Sequence, residues 1–167
     1  MSETHHNYNE IFMVICKCMQ IYLPFLTYTQ TKMFVAVIPA CSGTARAIIE
    51  CLLNEDQHSH VRVRGLYRDM SCVPHEFRSH PNFESIQGDA SDATAILNVS
   101  SGVDTILTIV TTQGNGNCYG SHIFQLAKRI SQNIRLAVQG GVVIERIVLL
   151  SSMQIEHCKH GVVSLFF

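Results

Sequence analysis

The stretch "MFVAVIPACSGTARAIIECLL", residues 33–53, combines an apolar run, a short turn and an amphipathic segment. The run before Pro39 is apolar and rich in β-branched residues, as expected of a strand buried on both faces of a parallel sheet. Ser42 is a residue type that caps helices, and after it apolar side chains recur at helical spacing through Leu53. The stretch therefore predicts a strand, a tight turn and a helix, the unit from which α/β folds are built.

The same alternation continues along the chain. Four further strands are predicted at 61–68, 83–89, 103–110 and 142–152, and residues 69–82 read as a polar connection. Helices are predicted over 91–102, which Ser91 would cap, and over 121–139, which Gly140 and Gly141 would end. Strands that alternate with helices predict an α/β fold, a Rossmann-like doubly wound parallel sheet of about five strands in the order 3-2-1-4-5.

The domain organisation follows from where this pattern begins and ends. Residues 1–32 do not share it, so we interpret them as an N-terminal extension that need not belong to the fold. Residues 33–157 carry the Rossmann-like pattern, and residues 158–167 are left as a C-terminal tail. We therefore expect one folded domain with an extension on either side.

The composition narrows the class of protein. Apolar residues make up 47% and charged residues 15% of the chain, as in globular proteins, and the net charge of -1 gives no basic surface for nucleic acid. The seven cysteines have no regular spacing, which fits reduced thiols better than a disulfide framework. The composition therefore predicts an intracellular protein, in the cytoplasm or the nucleus.

Membrane and metal sites are not favoured by the sequence. The apolar segment 11–28 is interrupted by polar residues and a proline, so it is a poor candidate for a membrane span. Clusters of Cys or His occur at 16–18, 58–60 and 157–160, but none has a second cluster at a recognised spacing. We expect no metal site.

The turn after the first strand is the first candidate site. Doubly wound sheets bind ligands where the strand order reverses, and a helix N-terminus at that point stabilises phosphate. If the usual Gly-x-x-Gly-x-x-Gly order applies, Pro39, Ser42 and Ala45 replace the three glycines, and Gly43 is the one glycine of the turn. The hydroxyls of Ser42 and Thr44 would be able to donate to phosphate oxygens. The alternative interpretation is an ordinary turn between a strand and a helix.

Three charged residues indicate what kind of ligand the turn would hold. Arg46 falls in the first helical turn, where a cation is unfavourable unless an anion lies beside it. Arg68 ends the second strand, where an arginine accommodates the 2'-phosphate of NADP and an acidic residue holds the ribose of NAD. Arg68 therefore favours NADP, while Asp69 is a weaker indication of NAD. A surface ion pair is the alternative.

The glycine-rich segment "TTQGNGNCYG", residues 111–120, nearly reproduces a second fingerprint, but its last spacing is one residue too long. We interpret it as a flexible loop over the nicotinamide end of the cofactor. A glycine-rich surface loop without a binding role is the alternative.

Five segments, taken in order, resemble one known family. They are "VAVIPACSGTARAIIECLL", "VRGLYRD", "FESIQGDASD", "GVDTILTI" and "ERIVLLSSM". Through this set the chain resembles NmrA-like proteins, which are atypical members of the short-chain dehydrogenase/reductase superfamily, and it resembles the fungal members most closely. The resemblance covers residues 33 to about 157 and implies a Rossmann fold that binds NADP, or alternatively NAD.

The resemblance also implies which residues bind the cofactor. The loop 39–45 would hold the phosphates, and Arg68 would face the adenosine 2'-phosphate. With Asp69 added from the strand argument above, the expected cofactor-binding residues are Pro39, Ala40, Cys41, Ser42, Gly43, Thr44, Ala45, Arg68, Asp69, Asp89, Ala90, Thr111, Thr112, Ser151 and Ser152. Of these, Asp89 and Ala90 would lie beside the adenine, and Thr111 and Thr112 on the path to the nicotinamide.

Departures from the family pattern bear on activity. The phosphate-loop glycines are substituted, and family members continue well beyond the fifth strand, so the resemblance implies a member truncated at its C-terminus. The Tyr-x-x-x-Lys pair of catalytic members is not found at Tyr67 or Tyr119, the tyrosines of the resembling region. Without that acid, hydride transfer has no visible machinery, and no catalytic residue is assigned.

Three hypotheses of function follow. The first is a non-catalytic dinucleotide sensor that acts through a regulatory protein partner. The second is a NADP-dependent oxidoreductase that acts on a small carbonyl or quinone substrate. The third is a truncated product without autonomous function.

Overall fold

The computed structural model describes residues 32–54, 60–110, 120–151 and 162–165. The chain divides into two units, Met1–Lys32 and Met33–Phe167. The helices and strands described below all belong to the second unit.

Strands and helices alternate along this unit. The strands of the described ranges are β1 (Met33–Ile38), β2 (Val61–Tyr67), β3 (Phe83–Gln87), β4 (Thr105–Val110), β5 (Arg146–Ser151) and β6 (Val162–Leu165). The helices there are α1 (Gly43–Leu52), α2 (His75–Arg78), α3 (Ala93–Ser100) and α4 (Gly120–Gln139), with a 3-10 turn at Met70–Cys72. The polar connection predicted at 69–82 thus contains two short helical turns.

The strands form one sheet in the order β3-β2-β1-β4-β5-β6. Neighbouring strands from β1 to β5 pair in parallel, and β6 pairs antiparallel with β5. The predicted parallel sheet of five strands in the order 3-2-1-4-5 is therefore confirmed. The antiparallel β6 is an addition, because the sequence was interpreted there only as a tail.

The strand order reverses between β1 and β4. Val35 of β1 is in register with Val63 of β2 on one side and with Thr105 of β4 on the other. Because all five strands are parallel, their carboxyl ends lie at one edge of the sheet, and the turn after β1 lies where the order reverses.

Helices cover both faces of the sheet. On one face, α3 and α4 pack on a buried cluster that consists of Ala36, Ile38, Leu66, Ala90, Ala95, Ile96, Val99, Val103, Ile106, Ile130 and Ile134. The alternate β1 side chains Val35 and Val37 are also buried, so β1 is covered on its other face as well. There α1 lies against β2 and buries its apolar stripe.

Of the two predicted helix caps, one is confirmed and one is wrong. Ser42 caps α1, since its Oγ accepts a hydrogen bond from the Ala45 N–H at 3.1 Å. Ser91 does not cap α3. The cap is Asp92, whose Oδ1 accepts from the Thr94 N–H at 3.0 Å, because the hydroxyl of Ser91 is bonded within the preceding turn.

Candidate functional site

The carboxyl edge of the sheet collects most of the predicted site residues. The loop 39–42 follows β1, Arg68 and Asp69 follow β2, and Asp89 and Ala90 come shortly after β3. The backbone of Ser151 lies at the same edge, at the end of β5 and in register with Val110. Thr111, Thr112 and Ser152 lie outside the described residues, as does the glycine-rich segment except for Gly120.

The loop after β1 is fixed by its own backbone bonds. The Ala40 N–H donates to the Leu66 carbonyl at 2.8 Å, which attaches the loop to β2, and the Ala40 side chain is buried. Pro39 is half-buried and Cys41 is exposed. The Ser42 carbonyl accepts from the Arg46 N–H at 2.9 Å, while the Ser42 hydroxyl accepts as the helix cap. The hydroxyl proton of Ser42 remains available as a donor.

The N-terminus of α1 presents backbone N–H groups beside open space. The N–H groups of Gly43 and Thr44 belong to the first helical turn, which has no carbonyl partners within the helix. A Cβ built on Gly43 would meet no atom within 4 Å, so the helix begins beside open space. Ala45, which replaces a glycine of the usual pattern, is fully buried in the contact of α1 with the sheet. The residues present therefore fit a phosphate group at this point.

Arg46 has two anionic partners within the protein. Its Nε lies 2.8 Å from Glu50 Oε1, and its Nη2 lies 2.6 Å from Glu76 Oε1 of α2. The hydrogen bond that Arg46 donates to Glu50 raises the pKa of the guanidinium, and the charge of Glu76 adds to this effect. The anion expected beside Arg46 is thus supplied by carboxylates, and Arg46 is not by itself evidence for a phosphate.

Arg68 and Asp89, which the resemblance assigns to the adenosine end, form an ion pair with each other. The Arg68 Nη2 lies 2.9 Å from Asp89 Oδ2. The other carboxylate oxygen, Oδ1, accepts from the Ser91 N–H at 2.8 Å and from the Ser91 hydroxyl at 2.7 Å. These bonds from Ser91 lower the pKa of Asp89, and Arg68 lowers that pKa further. The ion pair considered as an alternative interpretation is therefore present, with Asp89 rather than Asp69.

Asp69 and Ala90 have local roles in the structure. Asp69 caps the 3-10 turn at Met70–Cys72, because its Oδ1 accepts from the Ser71 N–H at 2.8 Å. This hydrogen bond lowers the pKa of Asp69. The Ala90 side chain belongs to the buried cluster under α3 and α4. Both residues lie at the expected edge, but the Ala90 side chain is buried and so does not face a ligand.

Sequence reasoning missed three residues near this edge. Glu76 binds Arg46, and Ser91 donates the hydrogen bonds that orient Asp89. The role of Ser91 could have been predicted from the Asp-x-Ser spacing at 89–91, because an aspartate in a turn often accepts from the backbone two residues later. Tyr67, at the end of β2, is 1% exposed, and its hydroxyl has no hydrogen-bond partner within the described part of the chain. Burial raises the pKa of Tyr67 to about 12. Nothing in an apolar strand pattern distinguishes such a tyrosine from an ordinary core residue.

The described residues form neither a metal-binding cluster nor a membrane-spanning helix. Among the described residues, no group of three or more His, Cys, Asp or Glu side chains is placed to hold a metal ion. Of the three predicted weak clusters, only His60 lies within the described ranges. In the same part of the chain, no helix is both long and apolar enough to cross a membrane.

The prediction that the whole chain lacks a Tyr-x-x-x-Lys pair is wrong at one position. Tyr28 and Lys32 do have this spacing. Tyr28 lies outside the described residues, and both residues precede β1, outside the segments that resemble the family. The described edge of the sheet therefore still carries no such pair.

The parallel sheet in the order 3-2-1-4-5 and the open helix N-terminus at its carboxyl edge are typical of Rossmann-type dinucleotide-binding proteins. The family model described as NAD(P)H-binding matches residues 40–166, three quarters of the chain. The chain belongs to this NAD(P)H-binding family. The predicted Rossmann fold and the predicted binding of NAD(P) are thus confirmed. The sequence matches no curated protein.

Solved structures share the fold. Pen from Bacillus thuringiensis is 17% identical, with a TM-score of 0.57 over 71% of this chain and 37% of that chain. The yeast methylglyoxal/isovaleraldehyde reductase complexed with NADPH is 21% identical, with a TM-score of 0.56 over 70% and 36%. Nmra, a negative transcriptional regulator, is 14% identical, with a TM-score of 0.51 over 71% and 33%. The chain thus spans little more than a third of the length of these proteins, and the likeness concerns the fold alone.

Proposed function

We propose that this protein binds NADP at the carboxyl edge of its sheet and acts as a non-catalytic dinucleotide sensor through a protein partner. The observation that carries the proposal is the open N-terminus of α1 at the point where the strand order reverses, in a chain of the NAD(P)H-binding family.

Each part of the cofactor has a candidate partner. The N–H groups of Gly43 and Thr44 and the hydroxyl of Ser42 would hold the diphosphate. Arg68 would hold the 2'-phosphate, which favours NADP over NAD. The resemblance assigns the adenine to Asp89 and Ala90 and the path to the nicotinamide to Thr111 and Thr112. It also implies that Ser151 and Ser152 close the site at the end of the fifth strand.

A sensor is favoured over an enzyme because the described residues offer no tyrosine that could donate a proton to a substrate. NADP, when bound, supplies a nicotinamide that exchanges a hydride, and a reductase needs a neighbouring group to move the accompanying proton. Tyr67 is the one tyrosine in the described residues, and its hydroxyl is buried with a pKa of about 12. A buried phenol with so high a pKa is a poor acid at neutral pH.

The alternative is a NADP-dependent oxidoreductase that acts on a small carbonyl or quinone. The yeast reductase shares the fold at low identity, so it gives this alternative no specific support. Turnover distinguishes the two. The sensor is expected to bind NADPH without oxidising it on a panel of aldehydes, ketones and quinones, and steady oxidation on any of them would establish the enzyme.

Binding is tested by calorimetric titration with NADP and then with NAD. Arg68→Ala is expected to weaken NADP by about tenfold while NAD changes by less than about twofold, since only NADP carries the 2'-phosphate. If both affinities fall equally, the cofactor assignment is wrong. If neither dinucleotide binds at millimolar concentration, the proposal fails altogether.

A further inference from the structure

The carboxylate of Asp89 is held rigidly beside Arg68. Its Oδ1 accepts two hydrogen bonds from Ser91, and its backbone carbonyl accepts from the Asp92 N–H at 2.9 Å. One residue earlier, the Gly88 N–H donates to the Tyr67 carbonyl at 2.9 Å, which ties the end of β3 to the end of β2. The orientation of Asp89 is therefore set by the turn and not by its ion pair.

The turn that contains Asp89 is also held in place by its contact with α3. A Cβ built on Gly88 would lie 2.6 Å from the Ala95 Cβ of α3, so the backbone there packs directly on the helix. Arg68, by contrast, is the more exposed partner, since its side chain is 75% exposed while that of Asp89 is 37% exposed, so Arg68 has room to turn toward another anion. When Arg68 moves toward another anion, Asp89 stays where it is.

The ion pair between Arg68 and Asp89 weakens the binding of a 2'-phosphate. To bind Arg68, the phosphate must take the guanidinium from Asp89 or share it with that carboxylate. The hydrogen bonds from Ser91 lower the pKa of Asp89, so the carboxylate remains charged at neutral pH and repels a second anion beside it. A ligand without the 2'-phosphate meets no such opposition.

We propose that Asp89 is a specificity-determining residue that competes with the 2'-phosphate for Arg68 and so reduces the preference of this site for NADP over NAD. The inference rests on the proposed binding of NADP at this edge. It assigns Asp89 a role beyond contact with the adenine, since the residue acts on the phosphate through the arginine that both anions share.

The test uses two probes that differ only in the phosphate. Adenosine 2',5'-bisphosphate and adenosine 5'-phosphate are titrated into the full chain, as wild type and as Asp89→Asn, by calorimetry at low ionic strength. Asparagine keeps the acceptor for Ser91 but removes the charge. The variant is expected to raise the ratio of bisphosphate to monophosphate affinity by about twofold to fivefold, as an exposed ion pair allows. This ratio cancels any change at the adenine, which both probes carry.

Asp92→Asn is the matched control. It removes a carboxylate three residues away, and asparagine still caps α3, so its affinity for either probe is expected to match wild type. In an Arg68→Ala background the gain from Asp89→Asn is expected to shrink, because the contested guanidinium is gone.

The outcomes separate this inference from the proposed function. If wild type binds the probes but Asp89→Asn leaves the ratio of bisphosphate to monophosphate affinity unchanged or lower, Asp89 does not oppose the phosphate and the inference is overturned. An equal gain in Asp92→Asn would show a general charge effect and overturn it as well. If wild type binds neither probe and neither dinucleotide, the proposed function fails, and this inference falls with it.

Discussion

At the scale of single residues, the side chains at the carboxyl edge already have partners. Ser42 caps α1, Asp69 caps the 3-10 turn, and Arg68 pairs with Asp89. A dinucleotide must therefore rely on the backbone N–H groups at the start of α1 and on the free hydroxyl proton of Ser42, or else displace an existing bond. Affinity is expected to come from the backbone, and the choice between NADP and NAD from the displaced ion pair.

Tyr67 is the exception, since its buried hydroxyl has no partner in the described part of the chain. Its ring packs edge-to-face with Phe83, with 6.4 Å between centroids, so phenylalanine would keep the packing. Tyr67→Phe is expected to raise the free energy of unfolding by about 1 kcal/mol at neutral pH, because an unsatisfied polar group leaves the core. Urea denaturation measures the change.

The same residue predicts a dependence on alkaline pH. Burial raises the pKa of Tyr67 from 10.0 to about 12, so the phenol ionises more readily in the unfolded chain. Ionisation of Tyr67 therefore leaves the stability unchanged below pH 10 and lowers the stability of the folded state as the pH rises from 10 toward about 12. The unfolding free energy of wild type should therefore fall more steeply over this interval than that of Tyr67→Phe. Parallel curves would contradict the buried, neutral phenol.

At the scale of elements, Arg64 joins β2 to the end of α3. Its Nη1 donates to the Val99 carbonyl at 3.2 Å and to the Ser101 carbonyl at 2.7 Å, and its Nε lies 3.0 Å from Glu84 of β3. Carbonyls at a helix C-terminus lack partners within the helix and attract a cation. The guanidinium also lies 4.6 Å from the centroid of the Phe34 ring. Arg64 thus secures the helix that follows the Asp89 turn.

Arg64→Met is expected to cost about 2 kcal/mol, because methionine keeps the apolar stem but leaves those carbonyls and Glu84 without their donor. Arg64→Lys keeps the charge but not the fork of donors, so it should recover only part of the loss. Arg62→Met is the control, since Arg62 also lies over Phe34, at 4.5 Å, but is exposed. Equal losses at the two positions in chemical denaturation would show that only the aromatic contact matters.

At the scale of the whole molecule, the sequence predicted the features of the fold that depend on local patterns of apolar residues. Apolar β-branched runs separated by helical periodicity were enough for the five parallel strands and their order, because right-handed crossovers leave few arrangements. The strand β6 was missed because a four-residue strand forms only against the edge that β5 offers. Likewise Glu76, which binds Arg46, and Asp89, which binds Arg68, lie far along the chain from their partners, so these pairs follow from the packed fold and not from a motif.

The proposed sensor makes one demand on the molecule as a whole. A protein that reports redox state must bind NADP and NADPH with different affinities, since a ligand pair bound equally shifts no equilibrium. The diphosphate and the 2'-phosphate are common to both forms, so discrimination has to arise at the nicotinamide end of the edge. The loop 39–45 and Arg68 cannot supply it.

Thermal denaturation with each form of the cofactor tests this demand. A tenfold difference in affinity corresponds to about 1.4 kcal/mol of additional stabilisation at saturating ligand, which shifts the midpoint by about 3–6 °C in a chain of this size. Arg68→Ala should lower both midpoints in parallel and leave their difference unchanged, because its contact is common to both forms. Equal midpoints for NADP and NADPH in wild type would mean that the protein senses the amount of dinucleotide and not its redox state.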